Sequence, residues 1–225
     1  MPLFAIISTL LAVALIMLWR QNVRLGRERF IRDYVFPKGL MDRFAKQRSD
    51  LSLKDRALVA RGLRQFFLSY LLSGRRFVSM PSQVVDDLWH EFILYTKNYD
   101  AFCSKAFGRF LHHTPAVVLG AEQQNNEGLR RCWYWCCKEE NINSKNPTRL
   151  PLLFALDAKL GIADGFIYTP DCKALTTSQS GTLHCGADLG SGTGSDGSGG
   201  DSCDNDSGDC GGDGGDGGGG GCGGD

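Results

Sequence analysis

Eighteen consecutive residues, Pro2 to Trp19, carry no charge and include only Ser8 and Thr9 as polar side chains. As a helix the run is roughly 27 Å long at about 1.5 Å per residue, close to the thickness of a bilayer's hydrocarbon core. It ends in Trp19-Arg20 with no small-residue cleavage pattern behind it, so it reads as a retained anchor with Trp19 at the interface. Arg20, Arg24, Arg27 and Arg29 follow, opposed only by Glu28. Positive flanks stay inside, which predicts a single-pass inner (plasma) membrane protein with its C-terminal domain cytoplasmic. The opposing reading is an uncleaved export signal with the domain outside. In the cytoplasm the nine cysteines should be mostly thiols.

The other end of the chain is equally unsuited to a core. All 25 Lys and Arg lie at or before Lys173 with 16 of the 25 acids, so residues 1–173 carry +9. The last 52 residues hold nine Asp, no base, 20 of the 29 Gly and four Cys. They have almost nothing apolar to bury, and a disordered acidic tail is expected over 173–225. Between the ends lie an expected anchor (1–20), a basic juxtamembrane segment (21–36) and one helical domain (37–172), large enough for a real core.

Within that domain the apolar spacing is helical. Pro37 opens a short helix toward Gln47, and Ser52 with Asp55 is fit to cap a second carrying Leu58, Leu63, Phe66, Phe67, Tyr70 and Leu71. Ser82 starts a third, whose stripe Val85, Leu88, Trp89, Phe92 and Ile93 continues through Tyr99, Phe102 and Phe107 to a stop at Gly108. Glu127–Asn141 and Pro151–Leu160 complete an all-α bundle of five or six helices. Alternation is too scarce for a sheet.

Three of the four histidines lie within 24 residues, and Cys103 falls between them. Asp86 and His90 are one helical turn apart, so a carboxylate can orient the imidazole. If the loop after Gly108 folds back, His112 or His113 meets His90, and Cys103 or Asp86 completes a shell suited to Zn²⁺. The candidate ligands are therefore His90, Cys103, His112 and His113, with Asp86, Asp87 and Glu91 behind them. The competing reading is structural: a surface Asp86–His90 pair, Cys103 as a small core residue, and a histidine bonded to a helix end. His90-Glu91 is followed by Leu94 where a metalloprotease helix needs its second His.

Cys132, Cys136 and Cys137 form a second group, flanked by Arg130, Arg131 and Lys138, which would favour a reactive thiolate if the sulfurs were accessible. A buried aromatic helix is the alternative, and Trp133, Tyr134 and Trp135 are also candidates to face a partner or the membrane. In the tail, His184, Cys185, Cys203, Cys210 and Cys222 stand among aspartates as weak metal ligands on a flexible tether. The acidic tail also has the charge to fold over the basic body.

The linked pieces Trp89-His-Glu-Phe-Ile-Leu94, Phe102-Cys103, Phe107-Gly-Arg-Phe-Leu-His-His-Thr-Pro115 and Leu150-Pro-Leu-Leu-Phe-Ala-Leu-Asp157, with the Gly/Asp/Cys tail, resemble the bacterial glycine-rich domain-containing proteins. These are similar to the N-terminal region of plant glycine-rich domain proteins. The resemblance implies no established reaction. For plant members it implies a nucleic-acid-linked stress role, partly through a Gly-rich RNA-binding segment. Here the tail has no Arg, no aromatic residue and nine Asp, so it repels phosphate and a nucleic-acid partner is not expected. The expectation is a membrane-anchored binding or scaffolding protein touching the bilayer through residues 2–19, with Arg20–Arg32 against anionic lipid and an unidentified protein partner. The alternative is a metal-dependent, hydrolase-like enzyme built on the histidine cluster. A metal buffer or thiol sensor in the tail is a third option.

Overall fold

In a computed structural model residues 2–113, 123–170 and 183–191 are described, and they form an all-α assembly with one small strand pair. Helix α1 runs unbroken from Pro2 to Arg32. Its first part is exposed, with Phe4 80% and Trp19 66% accessible, and the helix is long and apolar enough to cross a membrane. At about 1.5 Å per residue its 31 residues reach roughly 46 Å, so the helix outruns the hydrocarbon core.

The far end of α1 enters the protein body, which corrects the expected juxtamembrane segment over 21–36. Ile31 is buried, Phe30 lies against Phe102 at 5.7 Å between centroids, and Arg27 donates to the Phe107 carbonyl at 3.2 Å. Arg24 pairs with Glu28 and Arg32 with Glu139. Arg24, Arg27 and Arg32 thus each hold a protein group.

Six helices form the bundle: α2 (Lys38–Gln47), α3 (Leu53–Leu72), α4 (Gln83–Leu94), α5 (Thr96–Phe107), α6 (Gln123–Glu139) and α7 (Leu152–Leu160). The expected starts are present. Pro37 precedes α2, Ser52 and Asp55 form a capping box on α3, and the Ser82 side chain accepts from Val85 N–H on α4. Gly108, at φ +71, closes α5 in the left-handed conformation that glycine adopts without strain.

One continuous third helix was expected, and the chain instead leaves helical geometry at Tyr95 (φ −81, ψ 58). Packing gives the reason. Phe92 and Tyr99 are seven residues apart, about 10 Å along a straight helix, yet their ring centroids are 5.2 Å apart. The bend brings Phe92, Tyr99 and Phe102 onto one aromatic core with Phe67 and Phe107.

The domain also extends past the expected boundary at residue 172. Strand β1 (Ile167–Thr169) pairs in parallel with β2 (Leu183–Cys185), with Tyr168 opposite His184. The short helix α8 (Gly186–Ser191) follows and packs on α6. A Cβ on Gly186 would sit 2.8 Å from Cζ2 of the fully buried Trp133, and one on Gly190 would overlap the Ser144 carbonyl. Two glycines in close approach make this contact beside the buried Leu189, and a six-residue helix with one core leucine leaves no periodic signal. The expectation of tail disorder falls beyond Ser191 on residues outside those described.

Asp157, at the end of the apolar α7, is 2% exposed. Its Oδ1 accepts from Ser82 Oγ at 2.7 Å and Val84 N–H at 3.2 Å, and its Oδ2 from Gln83 N–H at 2.7 Å and Phe166 N–H at 2.9 Å. A carboxylate at a helix N-terminus meets unpaired N–H groups and the positive end of the dipole. Asp157→Asn keeps the shape but turns an amide donor toward donors, and is expected to lower unfolding free energy by about 3 kcal/mol in chemical denaturation. A loss within 0.5 kcal/mol, roughly the level of an ordinary surface substitution, would show that this grip is dispensable.

Candidate metal centre

Asp86 and His90 lie on one exposed edge of α4, and His113 reaches them from the loop after α5. His113 Nε2 is 3.0 Å from Asp86 Oδ1, and His90 Nδ1 is 3.4 Å from Asp86 Oδ2. One ligand atom from each residue falls within 4.8 Å of the other two. Two ligands each about 2.1 Å from a tetrahedral zinc are about 3.4 Å apart, the same order as these contacts, which run to the two different Asp86 oxygens. His90 is 52% exposed, with its ring centroid 4.3 Å from that of His113, whereas His113 is 17% exposed and Asp86 21%.

The loop from Gly108 to His113 is tied down from several sides. Arg109 donates to Tyr70 Oη at 3.0 and 2.7 Å and to the Arg75 carbonyl. Tyr99 Oη donates to the Leu111 carbonyl at 2.6 Å and accepts from Trp89 Nε1 at 3.1 Å. The Trp89 indole also meets the His113 ring edge-on at 4.5 Å. One tryptophan therefore holds the loop and walls its histidine.

The ligand set differs from the expected one. Cys103 is fully buried between the aromatic rings, and burial raises its thiol pKa, against a hydrogen bond from the Leu111 backbone. Its position on the Tyr99 and Phe102 stripe makes it a core residue. His112 is exposed and packs on Phe110 at 4.8 Å, outside the cluster. Asp86, expected either to complete the shell in place of Cys103 or to stand behind the histidines, lies in the cluster itself. Asp87 and Glu91 face the other way, toward α2: Asp87 pairs with Arg48 at 2.6 Å and Glu91 with Arg43 at 2.8 Å. A neighbouring helix with two arginines is not visible in local spacing, which is why these two carboxylates were misplaced.

The second cysteine group is also core. Cys132, Cys136 and Cys137 are fully buried. Burial pushes the Cys136 thiol well above its ordinary range and Cys137 up to about 12, opposite to the activation expected from the flanking cations. Desolvation outweighs distant charge here. Trp133 is buried against Phe154, and Tyr134 and Trp135 are half-buried with the Lys138 ammonium over both rings. Cys185 is 8% exposed and disulfide-bonded, so it is not a free thiolate ligand. Cys203, Cys210 and Cys222 lie outside the described residues.

A family model described as UCP032817-like matches residues 26–189, most of the chain. The chain belongs to the UCP032817-like family. The matched region takes in Asp86, His90 and His113, leaves out the apolar part of α1, and ends inside α8. No curated protein and no solved structure matches the chain.

The free cysteines Cys103, Cys132, Cys136 and Cys137 are expected to resist iodoacetamide in the folded protein and to react once denaturant opens the core, as intact-mass spectrometry reads directly. Stoichiometric labelling of any of them without denaturant would contradict their burial.

Proposed function

We propose that the chain is a membrane-anchored helical binding protein that holds a divalent metal ion at Asp86, His90 and His113. The observation carrying the metal is the convergence of two imidazoles and a carboxylate from two separate segments on one edge of the fold. Borderline nitrogen donors with one carboxylate suit Zn²⁺. The exposure of His90 leaves room for a water or a partner's side chain as fourth ligand. The sequence pieces resembling the bacterial glycine-rich domain-containing proteins supply both histidines, and we place the chain near that group.

Three protein ligands with an open side are also the composition of catalytic zinc sites, which supports a hydrolase-like second reading. Against it, the nearest carboxylates other than Asp86, those of Asp87 and Glu91, are bound to arginines and poorly placed to take a proton. Binding without catalysis is therefore the preferred function.

The anchor is the exposed apolar stretch of α1, and the arginines behind it favour a cytoplasmic domain. The disulfide at Cys185 is the opposing feature, because such bonds persist mainly in oxidising compartments. Labelling of the tail thiols that the Cys185 disulfide leaves unpaired, in intact membrane vesicles, distinguishes the two sides: the proposal expects labelling only from the cytoplasmic face. Labelling only from outside would reverse the orientation.

The metal is tested by elemental analysis of the full chain purified without a histidine tag. About one zinc per chain is expected, lost in His90→Ala and His113→Ala and retained in His112→Ala. A folded protein without metal, or equal loss in all three variants, would refute the site.

A further inference from the structure

On another part of the body α3, α7 and the end of α6 enclose a cleft of about 770 Å³. That is within the size range of small-molecule sites. Its lining includes five basic side chains and two acidic ones. Both acids are committed: Glu139 pairs with Arg32 at 2.5 Å, and Glu140 with Arg149 at 2.5 Å. Glu140 also accepts from Gln65 Nε2 at 2.9 Å and Leu152 N–H at 2.6 Å, and Gln65 Oε1 accepts from Leu153 N–H at 2.9 Å. Burial would raise the Glu140 carboxyl pKa, but these hydrogen bonds and Arg149 outweigh it and hold the group ionised. The inner wall is thus a hydrogen-bonded lattice in which each of the two acids already holds an arginine.

The cleft's other cations are Arg61, Arg64 and Lys159. Arg64 is half-buried, donates to the Tyr34 carbonyl at 2.9 Å and lies over the Phe36 ring. Burial and the neighbouring Arg61 both lower its pKa, the mark of cations crowded together. Arg61 is exposed, and among the described residues no hydrogen bond or ion pair holds it. Leu58, Leu68 and Leu152 add apolar surface beside this charge. Lys159 acts electrostatically on the Asp55 carboxyl, while Arg61 and Arg64 lie close enough to repel each other beside the apolar wall, a setting that suits an anion with an apolar part.

We propose that this cleft binds a small soluble molecule bearing a phosphate or carboxylate and an apolar part, its anionic group between Arg61, Arg64 and Lys159. Arg32, on the cleft's rim, is 13 residues beyond Trp19 on the continuous α1, roughly 20 Å further along the axis. That separation sets the cleft away from bilayer headgroups and favours a ligand from solution. The site is independent of the metal centre.

Phenyl phosphate is the probe, titrated calorimetrically into the full chain in nanodiscs of zwitterionic lipid. Saturable binding is expected, weaker for inorganic phosphate and about tenfold weaker in Arg61→Glu and Lys159→Glu, because each loses a charge-assisted contact. Both residues are on the surface, and unchanged circular dichroism confirms that the variants remain folded. No saturable heat, equal affinity in both variants, or equal affinity for inorganic phosphate would overturn the proposal. Nanodiscs containing phosphatidylglycerol separate the sources: unaltered binding supports a soluble ligand, and abolished binding would give the cleft to a lipid headgroup and overturn it.

Discussion

The carboxylate of Asp157 fixes where α4 begins. By accepting from Ser82, Gln83 and Val84 it satisfies the open N–H groups of that helix's first turn, and through Phe166 it ties in the chain leading to β1. A buried carboxylate persists only when fully hydrogen-bonded, so the contact specifies register as well as proximity. With the start of α4 set, Asp86 and His90 come to the exposed edge, Asp87 and Glu91 to the arginines of α2, and Trp89 and Phe92 to the core. The candidate metal centre is a consequence of that one anchorage.

The aromatic core completes the arrangement. The bend at Tyr95 folds α5 back on α4, and Tyr99, held by Trp89, carries the hydrogen bond that seats Leu111. His113 is two residues further on. A long-range contact between an imidazole and a carboxylate therefore rests on neutral groups in the core, well insulated from solvent competition. The same core buries four thiols so thoroughly that their chemistry is packing rather than redox.

Much of the fold was legible locally. Caps at Pro37, Ser52 and Ser82, the stop at Gly108 and the three- and four-residue apolar spacing specify helix type and rough extent, because each depends on neighbours within a turn or two. The pairing of Asp86 with His90 was legible for the same reason. The continuous course of α1 into the body was hidden by its change from apolar to basic side chains, which reads as a boundary although the backbone carries on as helix. The strand pair and α8 were hidden because each is too short for a periodic signal: Tyr168 and Leu189 are buried, and glycines permit the close approach beside α6.

By itself the sequence determined that the chain is helical, that one end is apolar enough for a bilayer and the other too polar and glycine-rich to build a core, and that its chemistry-bearing side chains gather around α4 and the loop after α5. Only the tertiary structure decided which of them meet. It set His113 rather than His112 beside His90 and Asp86, and put Cys103 and the Cys132–Cys137 group in the core. It also drew Arg61, Arg64 and Lys159 from two helices around one cleft. Those outcomes depend on side chains distant in sequence competing for the same space, burial and counter-charges, a competition that local spacing does not encode.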